Sequence, residues 1–241
     1  MQWIKISWVI VMGFDPIERS GQVESSVMRG FERKYYRFRS SSHYGGIVTA
    51  DTVGCNLLCA YCWNYFRNER PTHFGEFFSP EIVASELRKI SRKTGYKLFR
   101  VSGAEPILGE ISARHVAEII KLTNGEFILE TNGLMFGYKP ELIDLFTGLK
   151  VHVRLNVKGW DEKSFEKITG ASGEFFQYQL KAIEKLQGKV HFWIAIMYDV
   201  FREVGVKELK KKLSSPCEIE EETLNDYSFV IENMKKRGIQ I

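Results

Sequence analysis

The chain has 241 residues, 34 Lys and Arg against 30 Asp and Glu, and a formal net charge of +4. A hydrophobic fraction of 44% with 27% charged residues is that of a globular protein, which excludes bulk disorder, and no run of about 20 apolar residues exists to span a bilayer. Four cysteines are too sparse for a disulfide scaffold, and so small a charge excess permits an anionic partner without demanding one.

In chain order, Trp3 to Phe14 is apolar but broken by Lys5 and Ser7. It lacks a preceding basic region and a following small-residue cleavage site, so it is expected to be a folded strand or helix, with the chain cytoplasmic. Arg33-Lys-Tyr-Tyr-Arg-Phe-Arg39 interleaves basic and aromatic residues. Such a segment can contact phosphates and stacked bases, or form an amphipathic strand with a solvated basic face. From Gly45 onward strand-length apolar runs alternate with helical patterns, the signature of βα units on a parallel sheet. The expected strands are Ile47 to Asp51, Lys97 to Ser102, Phe127 to Glu130, Val151 to Val157, Val190 to Met197 and Glu218 to Glu220.

Helices are expected from Ser79, as N-cap ahead of Pro80, to Gly95, then over Ile111 to Leu122, Pro140 to Phe146, and around Phe176, Leu180 and Ile183. Two more are expected around Val206, Leu209 and Leu213 and over Leu224 to Met234. No repeat or long linker divides the chain. The expected organisation is a single α/β unit: an N-terminal extension over 1–44, a partial (β/α)6 barrel over 45–220, and a C-terminal helix over 221–241.

The fourth strand argues for a barrel over a flat sheet. Val151, Val153, Leu155 and Val157 alternate with His152, Arg154, Asn156 and Lys158, whereas flat parallel sheets covered on both faces read as continuous apolar runs. One face therefore meets helices and the other a polar lumen, in which His152 would lie deep. Chemistry in such barrels sits at the C-terminal strand ends, where Ser102, Glu130, Asn156 and Lys158 fall. His43, His73 and His115 carry no motif and read as surface or internally satisfied residues.

Three of the four cysteines crowd into Gly54-Cys55-Asn-Leu-Leu-Cys59-Ala-Tyr-Cys62-Trp63-Asn64, a C-x3-C-x2-C loop following the first expected parallel strand. Three thiolates can bind three irons of a cubane cluster and leave the fourth iron open. Structural zinc, which wants four ligands, and three unrelated buried thiols are the alternatives; Cys217 is the sole further thiol and lies far along the chain.

This loop resembles the hallmark of the radical S-adenosylmethionine (SAM) superfamily. The resemblance implies that Cys55, Cys59 and Cys62 ligate a 4Fe–4S cluster whose open iron is chelated by the methionine moiety of SAM, with Tyr61 near cluster and adenine. Ser102-Gly103-Ala104-Glu105-Pro106 resembles the Gly-Gly-Glu-Pro motif, whose backbone and acid receive the methionine ammonium; Ala104 replaces its second glycine. Glu130-Thr-Asn132-Gly is similar to the ribose-contacting segment of the glycyl-radical-enzyme activases and the deazaguanine-forming branch. Cys62-Trp63-Asn64 echoes a further activase segment, and Asn156-Val-Lys158 parallels their Asp-x-Lys.

The likeness runs from Ile47 to Met197, extending toward Glu220. It implies one-electron reductive cleavage of SAM to a 5′-deoxyadenosyl radical that abstracts a substrate hydrogen, with ferredoxin or flavodoxin as electron donor and no membrane partner. The substrate class stays open among a small molecule, a glycyl radical protein and tRNA. Arg154 and Lys158 are candidates to hold a carboxylate or phosphate of a small substrate, and Arg154 alternatively an ion-pair partner of Glu130. A non-catalytic iron–sulfur electron-transfer protein is the alternative of another class.

Overall fold

The structure, a computed structural model, describes residues 13–240; residues 3–12 of the first apolar stretch lie outside these. The helices are α1 (Pro16–Val27), α2 (Tyr65–Glu69), α3 (Pro80–Thr94), α4 (Glu110–Thr123), α5 (Leu134–Tyr138), α6 (Glu162–Thr169), α7 (Phe176–Leu186), α8 (Tyr198–Lys212) and α9 (Ser228–Lys236). The strands are β1 (Met28–Arg29), β2 (Glu32–Ser41), β3 (Ile47–Thr52), β4 (Glu76–Phe78), β5 (Leu98–Ser102), β6 (Glu126–Thr131), β7 (Val151–Asn156), β8 (Phe192–Met197) and β9 (Ile219–Glu222).

They form one nine-stranded sheet in the order β1-β2-β3-β5-β6-β7-β8-β9, with β4 pairing to β2. The six strands β3 and β5 to β9 are parallel, as the βα alternation implies, while β2 runs antiparallel to β3. Helix α3 shows why the local sequence folds this way. Pro80 opens it, Val83, Ala84 and Leu87 form its buried stripe, and Gly95 at φ 79° ends it in the left-handed conformation. Ser79 precedes it in extended conformation but makes no side-chain cap hydrogen bond, so Pro80 sets the start.

Several elements differ from the sequence reading. The extension holds α1, capped by Asp15 accepting from the Ile17 and Glu18 amides, and the long strand β2. Helices α2 and α5, of five residues each, are too short to repeat an apolar pattern; α6 is announced by the reciprocal Asp161–Ser164 cap and by Phe165 and Ile168 on its buried face. Residues Pro140–Leu145 form 3-10 turns in place of an α-helix, and the last helix begins at Ser228.

The sheet curls into a partial barrel. Tyr44, in the turn before β3, donates its hydroxyl to Glu220 of β9 (3.1 Å), joining elements that the strand order sets far apart. The alternation of β7 is realised: Val151, Val153 and Leu155 are buried outward against the helices. Arg154 instead faces the side shared by Glu220 and Trp193 Nε1, which donates to Glu220 (2.6 Å). His152 does not lie deep in the lumen. At the N-terminal end of β7, half-exposed, it meets His191 (Nδ1 to Nδ1, 3.0 Å) and Glu126 (3.3 Å). His115 is the satisfied residue expected: its Nδ1 donates to the Phe31 carbonyl and its Nε2 accepts from the Tyr35 hydroxyl.

Candidate active site

The three clustered cysteines lie on the loop leaving the C-terminal end of β3, Cys59 buried and Cys55 and Cys62 half-buried. Gly54 enters the loop at φ 87°, and a Cβ there would stand 2.7 Å from Val23 of α1, so the bare backbone lets α1 pack close. Backbone bonds from Leu58 to the Thr169 carbonyl (3.2 Å) and from Ala60 to the Ile168 carbonyl (2.8 Å) tie the loop to the end of α6. Two arginines outside the parallel core clamp it further. Arg19 of α1 donates to the Cys55 and Asn68 carbonyls (3.2 and 3.0 Å), and Arg237 after α9 donates to those of Ile168 and Leu58 (2.8 and 2.6 Å).

Burial pushes all three thiols up, that of Cys62 to about 11, so thiolates at this loop require a compensating positive centre. Donors stand ready for them. The Leu57 amide and the Asn68 side-chain amide each lie 3.4 Å from a sulfur, Cys55 and Cys62 respectively. Asn68 Oδ1 and the Tyr61 hydroxyl are buried with no hydrogen-bond partner. Among the described residues no three His, Cys, Asp or Glu side chains form a site for a single metal ion; a cubane places each thiolate on a different iron. The donor set thus fits an iron–sulfur cluster. Cys217 lies two residues before β9, at the opposite end of the parallel strands, its thiol 3.6 Å from the Ser215 carbonyl.

Beside the loop, β5 ends in Ser102, Gly103, Ala104 and Glu105. Gly103 has φ 86°, and a Cβ there would sit 3.1 Å from the Thr52 carbonyl oxygen and 3.2 Å from Asp51 Cβ. Ala104 does not need the left-handed region, so it replaces the motif's second glycine without strain. The Gly103 carbonyl accepts from the side-chain amides of Asn64 and Asn68. Glu105 is buried and ties β5 to β6, accepting from the Thr131 hydroxyl (2.6 Å) and the Asn132 and Ile107 amides (2.7 and 3.0 Å). Burial raises its carboxyl to about 7 against those hydrogen bonds. Asn132 Nδ2 bonds Asn56 Oδ1 (2.8 Å) and lies 3.9 Å from Cys55 Sγ.

Glu130 holds Arg100 and the Ser102 hydroxyl, both at 2.7 Å. Burial works against its charge, but Arg100, Arg154 and Ser102 outweigh it and keep the carboxyl below its usual range. Arg154 pairs not with Glu130 but with β9, meeting Glu220 at 2.9 and 3.0 Å and Glu222 at 2.8 Å, and donating to Asn156 Oδ1 at 2.9 Å. With two carboxylates on one guanidinium it is a poor holder of a substrate anion, and Asn156 is engaged with it. Lys158 Nζ lies 5.3 Å from the Tyr61 ring centre. Its amide donates to Gln179 of α7, which also bonds the Asn132 and Asn156 carbonyls and so locks the ends of β6 and β7 together.

The basic residues of the segment from Arg33 to Arg39 divide between buried Arg33 and Lys34 and the solvent-reachable Arg37 and Arg39. Arg33 is buried, bonding Thr52 and the Pro106 and Glu105 carbonyls, and Lys34 bonds the Thr72 carbonyl. Arg37 and Arg39 turn inward onto Asp51. Arg19, Asn68, Gln179 and Arg237 were beyond sequence reasoning; an Asn six residues after the last cysteine is the sole local hint among them.

A curled sheet of six parallel strands, with three thiols and a glycine-acid loop at their C-terminal ends, is the frame of an enzyme that binds an iron–sulfur cluster and an adenosyl cofactor. The chain belongs to the radical SAM superfamily, whose family pattern matches residues 50–214. That family uses a 4Fe–4S cluster and S-adenosylmethionine, which displaces the zinc alternative. A 7-carboxy-7-deazaguanine synthase of Methanocaldococcus jannaschii is 30% identical over 175 residues, spanning 67% of this chain and 68% of the relative. A probable GTP 3′,8-cyclase of Thermoplasma volcanium is 26% identical over 165 residues, 68% of this chain; the chain spans about half of it (48%). Among solved structures, TYW1 with a lysine–pyruvate adduct superposes with a TM-score of 0.52 at 17% identity, covering 79% of this chain and 72% of TYW1. Streptococcus suis SuiB bound to S-adenosylmethionine gives 0.55 at 13%, covering 78% and 47%. These likenesses establish the partial barrel. No helix among the described residues is long and apolar enough to cross a membrane.

Proposed function

We propose that Cys55, Cys59 and Cys62 hold a 4Fe–4S cluster at which S-adenosylmethionine is reductively cleaved, and that the reaction serves a small polar substrate in the lumen. The supporting observation is convergence: three thiols, the Gly103 carbonyl and Asn132 meet at the C-terminal mouth of a lumen lined by Asp51, Arg100, Glu130 and Arg154. Held by Cys55, Cys59 and Cys62, the cluster with its cofactor would supply the chemistry of hydrogen-atom abstraction from a substrate carbon.

The chain's residues hold and shield. The Gly103 carbonyl, positioned by the Asn64 and Asn68 side-chain amides, is the backbone acceptor that the motif assigns to the methionine ammonium. Glu105 fixes the ends of β5 and β6 so that this carbonyl keeps its place. Glu130 stays ionised, and two of its roughly four acceptor positions remain for ribose hydroxyls. Lys158 lowers the cost of charge at Cys59 and Cys62. A one-electron donor such as ferredoxin or flavodoxin completes the system. A small substrate is favoured over tRNA because Arg33 and Lys34 spend their charge on internal carbonyls and Arg37 and Arg39 converge on one carboxylate, which leaves no extended basic face.

Anaerobic reconstitution with iron and sulfide, then dithionite and S-adenosylmethionine, tests this. The wild type should form 5′-deoxyadenosine and methionine, with none above background in Cys59→Ala. Equal amounts in both proteins overturn the reading, and a cluster with no product in the wild type favours the electron-transfer alternative.

A further inference from the structure

At the β2 wall of the lumen, two guanidiniums share one carboxylate. Asp51 is fully buried. Arg37 approaches its Oδ2 through Nε and Nη2, both at 2.7 Å; Arg39 approaches through Nε at 2.7 Å to Oδ2 and Nη2 at 3.2 Å to Oδ1. One carboxylate compensates one of the two charges, and each guanidinium has five N–H donors to place. Their side chains remain 45% and 24% exposed, so the surplus charge is reachable.

Arg67 of α2 adds to it. Its guanidinium stands 4.4 Å from the Tyr36 ring centre and donates to Asn64 Oδ1 at 3.1 Å, and among the described residues it pairs with no carboxylate. The register shift between Tyr35 and Arg37 inserts Tyr36 as an extra residue in β2. The Tyr36 hydroxyl is buried beside Arg37, and its phenol feels Asp51, Arg37, Arg67 and Arg39 together. The opposite wall is the reverse: there Arg154 meets two carboxylates, Glu220 and Glu222. An anion in this lumen is therefore drawn to β2 and repelled from β9.

We infer that Arg37, Arg39 and Arg67, with the Tyr36 hydroxyl, form a subsite for the carboxylate or phosphate of a small substrate, with Asp51 positioning the two β2 arginines. The term substrate rests on the radical SAM reading above; the anion subsite itself does not. Because Asp51 adjoins Gly103, the same chemistry could serve the carboxylate of the cofactor's methionine, so the test separates the two sources.

The experiment is calorimetric titration of inorganic phosphate into the reconstituted full chain, with and without saturating S-adenosylmethionine. Phosphate should bind while the cofactor is bound, and Arg37→Gln and Arg39→Gln should each weaken it roughly tenfold or more, with partial recovery in Arg39→Lys. Undiminished binding in the Gln variants, no binding at millimolar phosphate, or competition between phosphate and S-adenosylmethionine overturns the inference. Bulk tRNA that displaces phosphate and loses affinity in the same variants also overturns it. Should Arg39→Gln not fold, the more exposed Arg37→Gln decides alone. Wild-type 5′-deoxyadenosine formation is measured in parallel. Its absence with phosphate binding intact strikes the radical reading, and its presence without phosphate binding strikes the subsite.

Discussion

Arg237 offers a direct test of how the cysteine loop is held. Its guanidinium donates to the Ile168 and Leu58 carbonyls, the two sides of the short ladder that joins the loop to α6. A hydrogen bond from a charged donor contributes about 1.5–3 kcal/mol net, so Arg237→Ala removes about 3–6 kcal/mol. Against this, Arg237 Nε is buried without a partner, and relieving such an atom returns about 1–3 kcal/mol. Taken at the middle of these two ranges the expected net loss is about 2.5 kcal/mol, roughly half of it recovered in Arg237→Lys, which can reach one carbonyl. Urea unfolding of the cluster-free chain reads this as a lower midpoint at unchanged slope. In the reconstituted protein a chelator should strip iron faster from the Ala variant. A destabilisation below about 0.5 kcal/mol with unaltered iron release would refute the clamp.

Other expectations follow from the same geometry. Gly103→Ala must force φ 86° on an L-residue and crowd Thr52 and Asp51; it should cost about 1–2 kcal/mol and weaken S-adenosylmethionine binding in equilibrium dialysis. Cys217→Ser should keep the wild-type iron content and visible spectrum, since that thiol lies at the other end of the strands; a loss of iron would contradict this. Two buried groups set opposing pH slopes in the cluster-free chain. Glu105 is raised from 4.5 to about 7, so the stability it contributes is lost as pH rises through that interval, about 3 kcal/mol in all. Burial lowers His115 from 6.5 to about 4, so its contribution is lost as pH falls through that interval, again about 3 kcal/mol. Glu105→Gln should therefore show stability rising with pH between about pH 5 and 6.5, and His115→Gln stability falling. Flat profiles in both variants would exclude this balance.

The parallel strands and their flanking helices were legible because β-runs such as Val151 to Leu155 and faces such as Val83 and Leu87 carry strong periodicity. The cysteine loop and the Gly103 and Glu130 segments were legible because their chemistry is confined to a few adjacent residues. Contacts across long sequence separations were not. Arg19 and Arg237 reach the loop from 36 and 179 residues away, and no local pattern marks either as a clamp. The basic-aromatic stretch is a strand with Arg37 exposed, as one reading had it, but composition shows Arg37 and Arg39 without Asp51, which antiparallel pairing with β3 brings beneath them. Likewise the sequence offers Arg154 as a substrate holder or a partner of Glu130, and only the curl of the sheet brings up its actual partners, Glu220 and Glu222.

The central question is whether these three thiols hold a cluster with an iron open to the cofactor. Electron paramagnetic resonance of the dithionite-reduced, reconstituted chain, recorded before and after adding S-adenosylmethionine, answers it. A reduced 4Fe–4S signal that shifts on addition, and is absent in Cys55→Ala, Cys59→Ala and Cys62→Ala alike, is the expected result. A signal indifferent to the cofactor, or one that survives loss of any of the three thiols, would contradict the site described.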